Sequence, residues 1–305
     1  RGLGDVYKRQ GEKKMPLFAG AFGIYGHGNV ACIGQAMEEF QDQLPGYRGH
    51  HEQYMALTGI GYSRAMRRKQ IFVATSSVGP GSTNMITAAT GATINRLPVL
   101  LLPGDIFSRR NVGPVLQQLE HTNSPDVSVN DCFKPVSVFW DRINRPEQII
   151  SSLPEALRIL TDPIATGAVT LSLPQDVQAE AYDYPDQFFN KRVWAVPRTM
   201  PSEESLSSAA TIIKKATNPV IIAGGGVIYS DADKALHEFC NNTGIPVGET
   251  QAGKGAIPWN HSQSLGAVGV TGTSAANIIS RDADLVICIG TRLSDFTTAS
   301  KTLFQ

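Results

Sequence analysis

Short apolar runs alternate with segments of helical pattern along the first half of the chain. Residues 71–75 and 99–102 are predicted to be buried strands, because each is a short, nearly continuous apolar run. Residues 82–95 between them are rich in alanine and threonine and have the length of a helix. A strand, a helix and a second strand in this order predict a parallel sheet that helices cover on both faces. A helix over residues 146–160 and a last strand over residues 167–173 continue this α/β pattern.

The pattern stops over residues 179–201, where aromatic residues and prolines follow neither the helix period nor the strand period. This segment is predicted to be a linker. Ser202 and the two glutamates behind it are typical of a helix start, since a serine side chain caps the first turn and carboxylates favour the positive end of the helix dipole. A second α/β unit comes next, with a strand over residues 219–223, three glycines at 224–226 and a helix over residues 231–241.

The two ends of the sequence differ from its middle. The chain starts at Arg1 rather than at a methionine, and its first ten residues are charged and share no pattern with the residues after them. We interpret residues 1–14 as a leftover of sequence assembly or as disordered. The last residues come directly after a strand and a loop. We therefore expect a fragment, with one complete domain over residues 15–178, the linker, and an incomplete Rossmann-like domain over residues 202–305.

The composition favours a protein that binds small molecules. Charged residues make up 18% of the chain and 29 residues are glycine, which indicates many tight loops and extensive subunit contacts. The 27 basic and 27 acidic residues form no basic stripe that would bind a nucleic acid. No apolar run reaches the roughly 18 residues of a membrane span, and no signal peptide is recognisable. The four cysteines are scattered, so neither a zinc site nor a disulfide framework is indicated, and the cytoplasm is the expected compartment.

Two glycine loops in the first domain are candidate ligand sites. One is Gly-His-Gly-Asn at residues 26–29, and the other is Gly-Pro-Gly-Ser-Thr-Asn at residues 79–84. Glycines let a ligand approach the backbone closely, but a turn before a helix explains both sequences as well. His50, His51 and Glu52 are possible metal ligands. Adjacent residues of a helix point about 100° apart, however, so no metal site is predicted there.

The three glycines at 224–226 follow a strand and precede a helix, which is where a nucleotide phosphate binds in many α/β proteins. Their spacing is not Gly-x-Gly-x-x-Gly, and no acidic residue stands where a ribose contact is expected. A structural turn and a dinucleotide site therefore both remain open.

Together these segments resemble the amino-terminal half of a thiamine diphosphate enzyme of the acetolactate synthase superfamily. The loop at 26–29, the His-Glu-Gln sequence at 51–53, the strand and loop at 75–84 and residues 100–105 carry the resemblance. It continues in residues 266–296, with Gly-Thr and Gly-Thr-Arg motifs of the central domain. The resemblance implies an α/β thiamine diphosphate-binding fold, a parallel sheet with helices on both faces, followed by an incomplete Rossmann-like central domain.

The resemblance also implies roles for individual residues. Glu52 would be the catalytic carboxylate, which hydrogen-bonds N1′ of the cofactor's aminopyrimidine ring and favours the tautomer that takes a proton from the thiazolium carbon. His27, Gly28, Pro80 and Asn84 would line the pyrimidine site, and His27 is also a candidate for steering the substrate oxygens. Mg²⁺ and the diphosphate would be held by a carboxyl-terminal domain that is not in this sequence. No metal ligand is therefore assigned here, and the fragment by itself is expected to be inactive.

Within the superfamily, the sequence is most similar to the branch that hydrolyses a carbon–carbon bond of a cyclic diketone in inositol catabolism. Six runs carry this likeness: residues 25–29, 114–118, 134–137, 140–143, 145–148 and 249–254. Acetolactate synthases typically have Pro-Gly-Gly where this chain has residues 27–29, and glutamine where it has Asp105. The resemblance implies at least a homodimer, or a homotetramer. Two alternatives stay open: an acetolactate synthase-like carboligase, and a nucleotide-binding regulatory module built on residues 224–226.

Overall fold

The computed structural model describes residues 6–10, 13–109, 111–119 and 121–304, and the chain divides into two compact units, residues 1–197 and residues 198–305. Among its described residues, the first unit has nine strands: β1 Val6–Gln10, β2 Lys13–Pro16, β3 Phe18–Gly23, β4 Gly46–Arg48, β5 Ile71–Ser76, β6 Val99–Asp105, β7 Phe139–Arg142, β8 Ala168–Pro174 and β9 Arg192–Ala195. Six of them form one sheet in the order β4-β3-β5-β6-β8-β7, and every pair in it is parallel.

Six α-helices belong to the first unit: α1 Gln35–Glu39, α2 Glu52–Ala65, α3 Pro80–Thr83, α4 Ile86–Ile94, α5 Ile149–Thr161 and α6 Gln175–Gln178. A π-helical turn, Val30–Gly34, precedes α1, and short 3-10 turns cover Val129–Phe133, Pro146–Gln148 and Asp186–Phe189. The helix predicted over residues 82–95 is divided into α3 and α4, because the Met85 amide donates to the Ser82 carbonyl three residues back and tightens the chain at this point.

Helices cover both faces of this sheet, as predicted. All six residues of β5 are buried, and alternate side chains point to opposite faces. Val73 packs in the core cluster with Leu157 and Leu160 of α5. Its neighbour Phe72 lies on the other face, where it approaches Gly59 of α2. A central strand that is buried on both faces explains why this segment reads as a continuous apolar run.

The amino-terminal stretch differs from the prediction that residues 1–14 lie outside the fold. Residues 1–5 and 11–12 are outside the described residues, but β1 pairs antiparallel with β2 and parallel with β9. Val6 is buried in the core cluster, and the Lys8 ammonium donates to the Arg68 carbonyl at 2.6 Å. The segment that we predict as a linker contributes β9, so its aromatic residues lie in the first unit.

The second unit is a smaller parallel sheet with the strand order β12-β11-β10-β13. Its strands are β10 Pro219–Ala223, β11 Val247–Glu249, β12 Ser264–Ala267 and β13 Leu285–Ile289, and its helices are α7 Glu203–Lys215, α8 Gly225–Tyr229, α9 Asp233–Thr243 and α10 Ser274–Arg281. This order, in which the first strand lies between the second and the fourth, is that of a Rossmann-type half-sheet. Ser202 caps α7 as predicted, since its hydroxyl accepts from the Ser205 amide at 3.1 Å.

None of the helices in the described part of the chain combines the length and the hydropathy that crossing a bilayer requires.

Candidate functional site

The predicted site residues lie at one edge of the first sheet. The loops that follow β3 and β5 contain residues 26–29 and 79–84, and β6 ends at Asp105. These three strands are neighbours and run parallel, so their carboxyl ends meet at the same edge. Such an edge is where open α/β sheets bind ligands. Sequence reasoning named residues on all three segments, and the sheet order explains why they converge.

Glu52 and Asn84 are in direct contact. The Asn84 amide Nδ2 donates to Glu52 Oε2 at 2.9 Å. Glu52 is the first residue of α2, where the positive end of the helix dipole stabilises its carboxylate. The preceding residue, His51, has an extended backbone. A Cβ built on Gly81 would lie 3.1 Å from Glu52 Oε1, so a glycine keeps the space in front of this second oxygen open. The carboxylate is therefore held by a hydrogen bond to Oε2, and no side chain of residue 81 covers Oε1.

The turn before α3 requires a glycine at position 79. Gly79 has φ +71°, a left-handed conformation that L side chains rarely adopt, and a Cβ there would lie 2.1 Å from the Gln117 carbonyl oxygen. Pro80 is exposed and occupies the first turn of α3, where its missing amide costs nothing. The loop is thus fixed on one side by the backbone of residue 117 and on the other by the start of a helix.

The Gly-His-Gly-Asn loop is packed against the end of β5. The Gly28 amide donates to Ser77 Oγ at 3.3 Å, and the Gly28 carbonyl accepts from Gln178 Nε2 at 2.7 Å. A Cβ on Gly104 would lie 2.6 Å from that carbonyl oxygen, which leaves no room for a side chain at 104. The amide and the carbonyl of Gly28 are therefore both hydrogen-bonded, and Gln178, which holds the carbonyl, lies outside the motifs that the sequence analysis named.

Asn29 ties the same loop to the sheet. It is buried, its Oδ1 accepts from the Gly26 amide at 3.0 Å, and its Nδ2 donates to the Ile24 carbonyl at 3.1 Å and to Thr75 Oγ1 at 3.2 Å. The side chain of His27 between these anchors is different, because its buried Nε2 has no hydrogen-bond partner among the described residues. A buried polar atom of this kind is available to a ligand.

Below the loops lies a group of buried polar side chains that the sequence analysis missed. Asp105 Oδ2 accepts from Arg142 Nε at 2.7 Å and from Ser172 Oγ at 2.6 Å, and its Oδ1 accepts from the Ile106 amide at 2.8 Å. Asn130 bonds to the same serine, with Nδ2 at 2.6 Å from Ser172 Oγ. Residues 100–105 and 140–143 each belong to a motif that carries the resemblance. Nothing in the local sequence pattern predicted that Asp105 and Arg142 are in contact.

The guanidinium of Arg142 joins this group to Asp131. Its NH2 nitrogen donates to Asp131 Oδ1 at 3.1 Å, and Lys134 Nζ lies 2.8 Å from the same oxygen. Burial alone would raise the pKa of Asp131, but hydrogen bonds from Lys134 and from the Ser128 amide, together with the charge of Arg142, outweigh it and hold the pKa below the ordinary value of 3.8. Asp131 therefore keeps its charge down to acidic pH.

Thiamine diphosphate matches the groups that this edge presents. An aminopyrimidine ring carries nitrogen atoms that accept or donate hydrogen bonds, and the site offers the Glu52 carboxylate and the His27 Nε2, which has no partner among the described residues. A carboxylate fixed by Asn84 and a buried polar atom without a partner fit a polar heterocycle better than they fit an apolar ligand.

The two histidines before α2 do not form a metal site with Glu52. The His51 ring packs against the Tyr54 ring with 4.6 Å between centroids. Within the described residues, no group of three or more histidine, cysteine, aspartate or glutamate side chains is arranged to hold a metal ion.

An apolar cavity of the first unit lies between the sheet, α1 and α5. It measures about 230 Å³, and Met37, Phe40 and Leu153 are among its lining side chains. Among the described residues, its lining contains no charged side chain, histidine or cysteine, and its polar side chains are Gln43 and Thr75.

The three glycines of the second unit allow close packing of the backbone. A Cβ on Gly224 would lie 2.3 Å from the Gly290 carbonyl oxygen, and a Cβ on Gly226 would lie 2.6 Å from the Gly290 Cα. The Gly226 amide also donates to the Gly290 carbonyl at 2.9 Å. The loops after β10 and β13 therefore touch each other, and this contact accounts for the glycines without a ligand.

Comparison with known families agrees with the fold. The model described as "Thiamine pyrophosphate enzyme, N-terminal TPP binding domain" matches residues 18–124, and the model "Thiamine pyrophosphate enzyme, central domain" matches residues 206–305. The chain belongs to the thiamine pyrophosphate enzymes, and the predicted thiamine diphosphate-binding fold with a Rossmann-like central domain is confirmed.

Similar proteins narrow the comparison further. The chain is 56% identical over 303 residues to a 3D-(3,5/4)-trihydroxycyclohexane-1,2-dione hydrolase of Clostridium tetani. It is 52% identical over 303 residues to proteins of the same name in Bacillus thuringiensis and Bacillus cereus. These alignments cover 99% of the chain but 47% of each relative, so the chain spans about half the length of the curated relatives that it matches.

Proposed function

We propose that the protein containing this chain is a thiamine diphosphate-dependent hydrolase that opens 3D-(3,5/4)-trihydroxycyclohexane-1,2-dione to 5-deoxy-D-glucuronate. The observation that carries the proposal is the position of the Glu52 carboxylate. Its Oε2 accepts a hydrogen bond from Asn84 at 2.9 Å, and its Oε1 faces Gly81, which has no side chain. The identity of 52–56% to proteins named for this activity supports the choice of substrate.

The chain's residues would hold the cofactor's pyrimidine ring and control one proton. Glu52 Oε1 would share a proton with the ring nitrogen N1′, while Asn84 keeps the carboxylate from rotating away. The backbone of Gly28 and the ring of Pro80 would flank the pyrimidine. Thiamine diphosphate, when bound, supplies a nucleophilic carbon and takes up the electron pair of the broken carbon–carbon bond. His27 Nε2 would donate to an oxygen of the diketone or to the ring.

Further parts of the proposal concern the whole protein. Mg²⁺ would be bound together with the diphosphate, and we place its ligands outside this chain. A small cyclic diketone would be the substrate, in the cytoplasm and in the degradation of myo-inositol. Neither a nucleic acid nor a membrane is a proposed partner.

A homodimer or homotetramer is supported by one face of α2. Tyr54 and Leu57 are 66% and 41% exposed, and they lie on the same face as Gly61. No described atom lies within 4 Å of the position that a Cβ on Gly61 would occupy. A glycine inside a helix costs about 1 kcal/mol relative to alanine, so its presence on an apolar face fits close approach by a second subunit.

The experiment uses the full-length protein with thiamine diphosphate and Mg²⁺. We expect the trihydroxydione to be consumed and a carboxylate product to form. Proton NMR would measure both changes. Glu52→Gln should lower the rate by about 10²-fold or more, the usual contribution of a general acid or base. Glu155→Gln is the matched control, because Glu155 is a helical glutamate that bonds only to Arg158 on the exposed side of α5 among the described contacts. A wild-type protein that leaves the diketone unchanged would refute the proposal.

The two alternatives give different results in the same preparations. Formation of acetolactate from pyruvate, without hydrolysis of the diketone, would indicate a carboligase. A rise in melting temperature with a dinucleotide would indicate a nucleotide site at residues 224–226, although the contact with Gly290 already explains these glycines.

A further inference from the structure

The buried side chain of Asn130 reaches from the sheet to the loop in front of Glu52. Asn130 has no exposed surface, its Nδ2 donates to the Gly104 carbonyl at 2.9 Å and to Ser172 Oγ at 2.6 Å, and its Oδ1 accepts from Ser82 Oγ. Both hydrogens of its amide and its oxygen are therefore used, which fixes the orientation of the side chain.

The backbone of Asn130 is fixed as well. Its amide donates to Ser128 Oγ at 3.1 Å, and its carbonyl accepts from Trp140 Nε1 at 3.1 Å. Arg142 adds a further support, since its guanidinium donates to Ser128 Oγ at 2.9 Å and to Asp105 Oδ2 at 2.7 Å. The position of Asn130 is therefore fixed by hydrogen bonds to the segment before β7 and to β7 itself.

Ser82 connects Asn130 to the helical turn that contacts Glu52. It belongs to α3, which has four residues, too few for a helix that is stable without tertiary contacts. Gly81 on one side of Ser82 faces Glu52 Oε1, and Asn84 on the other side donates to Glu52 Oε2. The hydroxyl of Ser82 is buried, so its bond to Asn130 is one of the contacts that place this turn.

We propose that Ser82 and Asn130 are positioning residues, which hold the turn at residues 80–84 so that Gly81 and Asn84 orient the Glu52 carboxylate. This inference rests on the proposed function for its catalytic meaning, since the carboxylate matters only if it meets the pyrimidine ring. The placement of the turn itself can be measured without any cofactor.

The test uses the full-length protein and the substitution Ser82→Ala, which removes the hydroxyl and little volume. Thr93→Val is the control, because Thr93 Oγ1 also donates one hydrogen bond from a helix to the segment that follows residue 128, to the Val136 carbonyl at 2.7 Å, and it accepts another from the Ala168 amide at 3.3 Å. Without cofactor, Ser82→Ala should speed hydrogen exchange of the amides of residues 81–86 about fivefold or more, as expected for loss of one buried hydrogen bond. Thr93→Val should leave that segment unchanged.

The second measurement is the affinity for thiamine diphosphate in the presence of Mg²⁺, by calorimetry. Ser82→Ala should weaken binding about fivefold in the wild-type background, and less than twofold when Glu52 is already replaced by glutamine, because a positioning residue loses its effect once its target is gone. Equal losses in both backgrounds, or exchange no faster than in Thr93→Val, would overturn the inference. If the wild-type protein binds no thiamine diphosphate, the proposed function fails, and the exchange measurement alone then decides whether Ser82 places the turn.

Discussion

Replacement of Arg142 tests whether the buried polar group supports the candidate site. Arg142→Met keeps the length of the side chain but removes the charge that faces Asp105, whose side chain is 1% exposed. Breaking a buried ion pair by removing one partner costs about 3–5 kcal/mol, since the other charge stays buried without compensation. Asp105 retains its bonds from Ser172 and from the Ile106 amide, so we expect a loss near the lower end, about 3 kcal/mol.

The assay is urea unfolding of the full-length protein at pH 7, with the free energy of unfolding taken from the first transition. Arg158→Met is the control, because Arg158 pairs with Glu155 on the exposed surface and its loss should leave the midpoint nearly unchanged. The double replacement Asp105→Asn with Arg142→Met should recover part of the loss, since the unpaired carboxylate is then gone. A cost below about 1 kcal/mol for Arg142→Met, or a cost equal to that of the control, would contradict a structural role for the pair.

Three further predictions concern other parts of the chain. The pKa of Asp131 is lowered in the folded protein, so its contribution to stability is present above the unfolded value of 3.8 and is lost as the pH falls through the folded pKa. The acid unfolding curve of Asp131→Asn should therefore be flatter than that of the wild type below that value. Gly224→Ala should destabilise the second unit by about 1–3 kcal/mol in thermal unfolding, because the new methyl group would overlap the Gly290 carbonyl. Gly61→Ala should leave the helix at least as stable, whereas Gly61→Trp should convert the dimer to a monomer in sedimentation; an unchanged dimer would contradict the proposed interface.

Features that depend on neighbouring residues could be predicted from the sequence. The strand at residues 71–75 and the cap at Ser202 each follow from the pattern within one or two turns of chain. The convergence of the glycine loops also follows, because a strand-helix-strand order dictates a parallel sheet whose carboxyl ends meet. Local pattern and simple topology therefore suffice for the outline of the fold and for the edge that carries the site.

Contacts between distant segments could not be predicted in this way. Ser82 and Asn130 are 48 residues apart, and Gln178 reaches Gly28 from 150 residues away. Polar residues such as these are common on loops, so nothing in their local sequence distinguishes a buried partner from a solvated side chain. The strand β1 was missed for a related reason, because its charged sequence becomes a strand only through pairing with β2 and β9. Register and partner choice are properties of the assembled sheet rather than of the segment.

The position of Asp105 in the fold indicates why an aspartate stands at this place in the chain. In the sequence it distinguishes the chain from acetolactate synthases, which have glutamine there. In the fold Asp105 is buried and both of its carboxylate oxygens are hydrogen-bonded, Oδ1 to the Ile106 amide and Oδ2 to Arg142 and Ser172. A glutamine is longer and would meet Arg142 without a charge, so aspartate and arginine form a matched pair beneath the loops. If the proposed function holds, we expect discrimination between the diketone and pyruvate to depend on other groups, such as His27, whose buried Nε2 has no hydrogen-bond partner among the described residues.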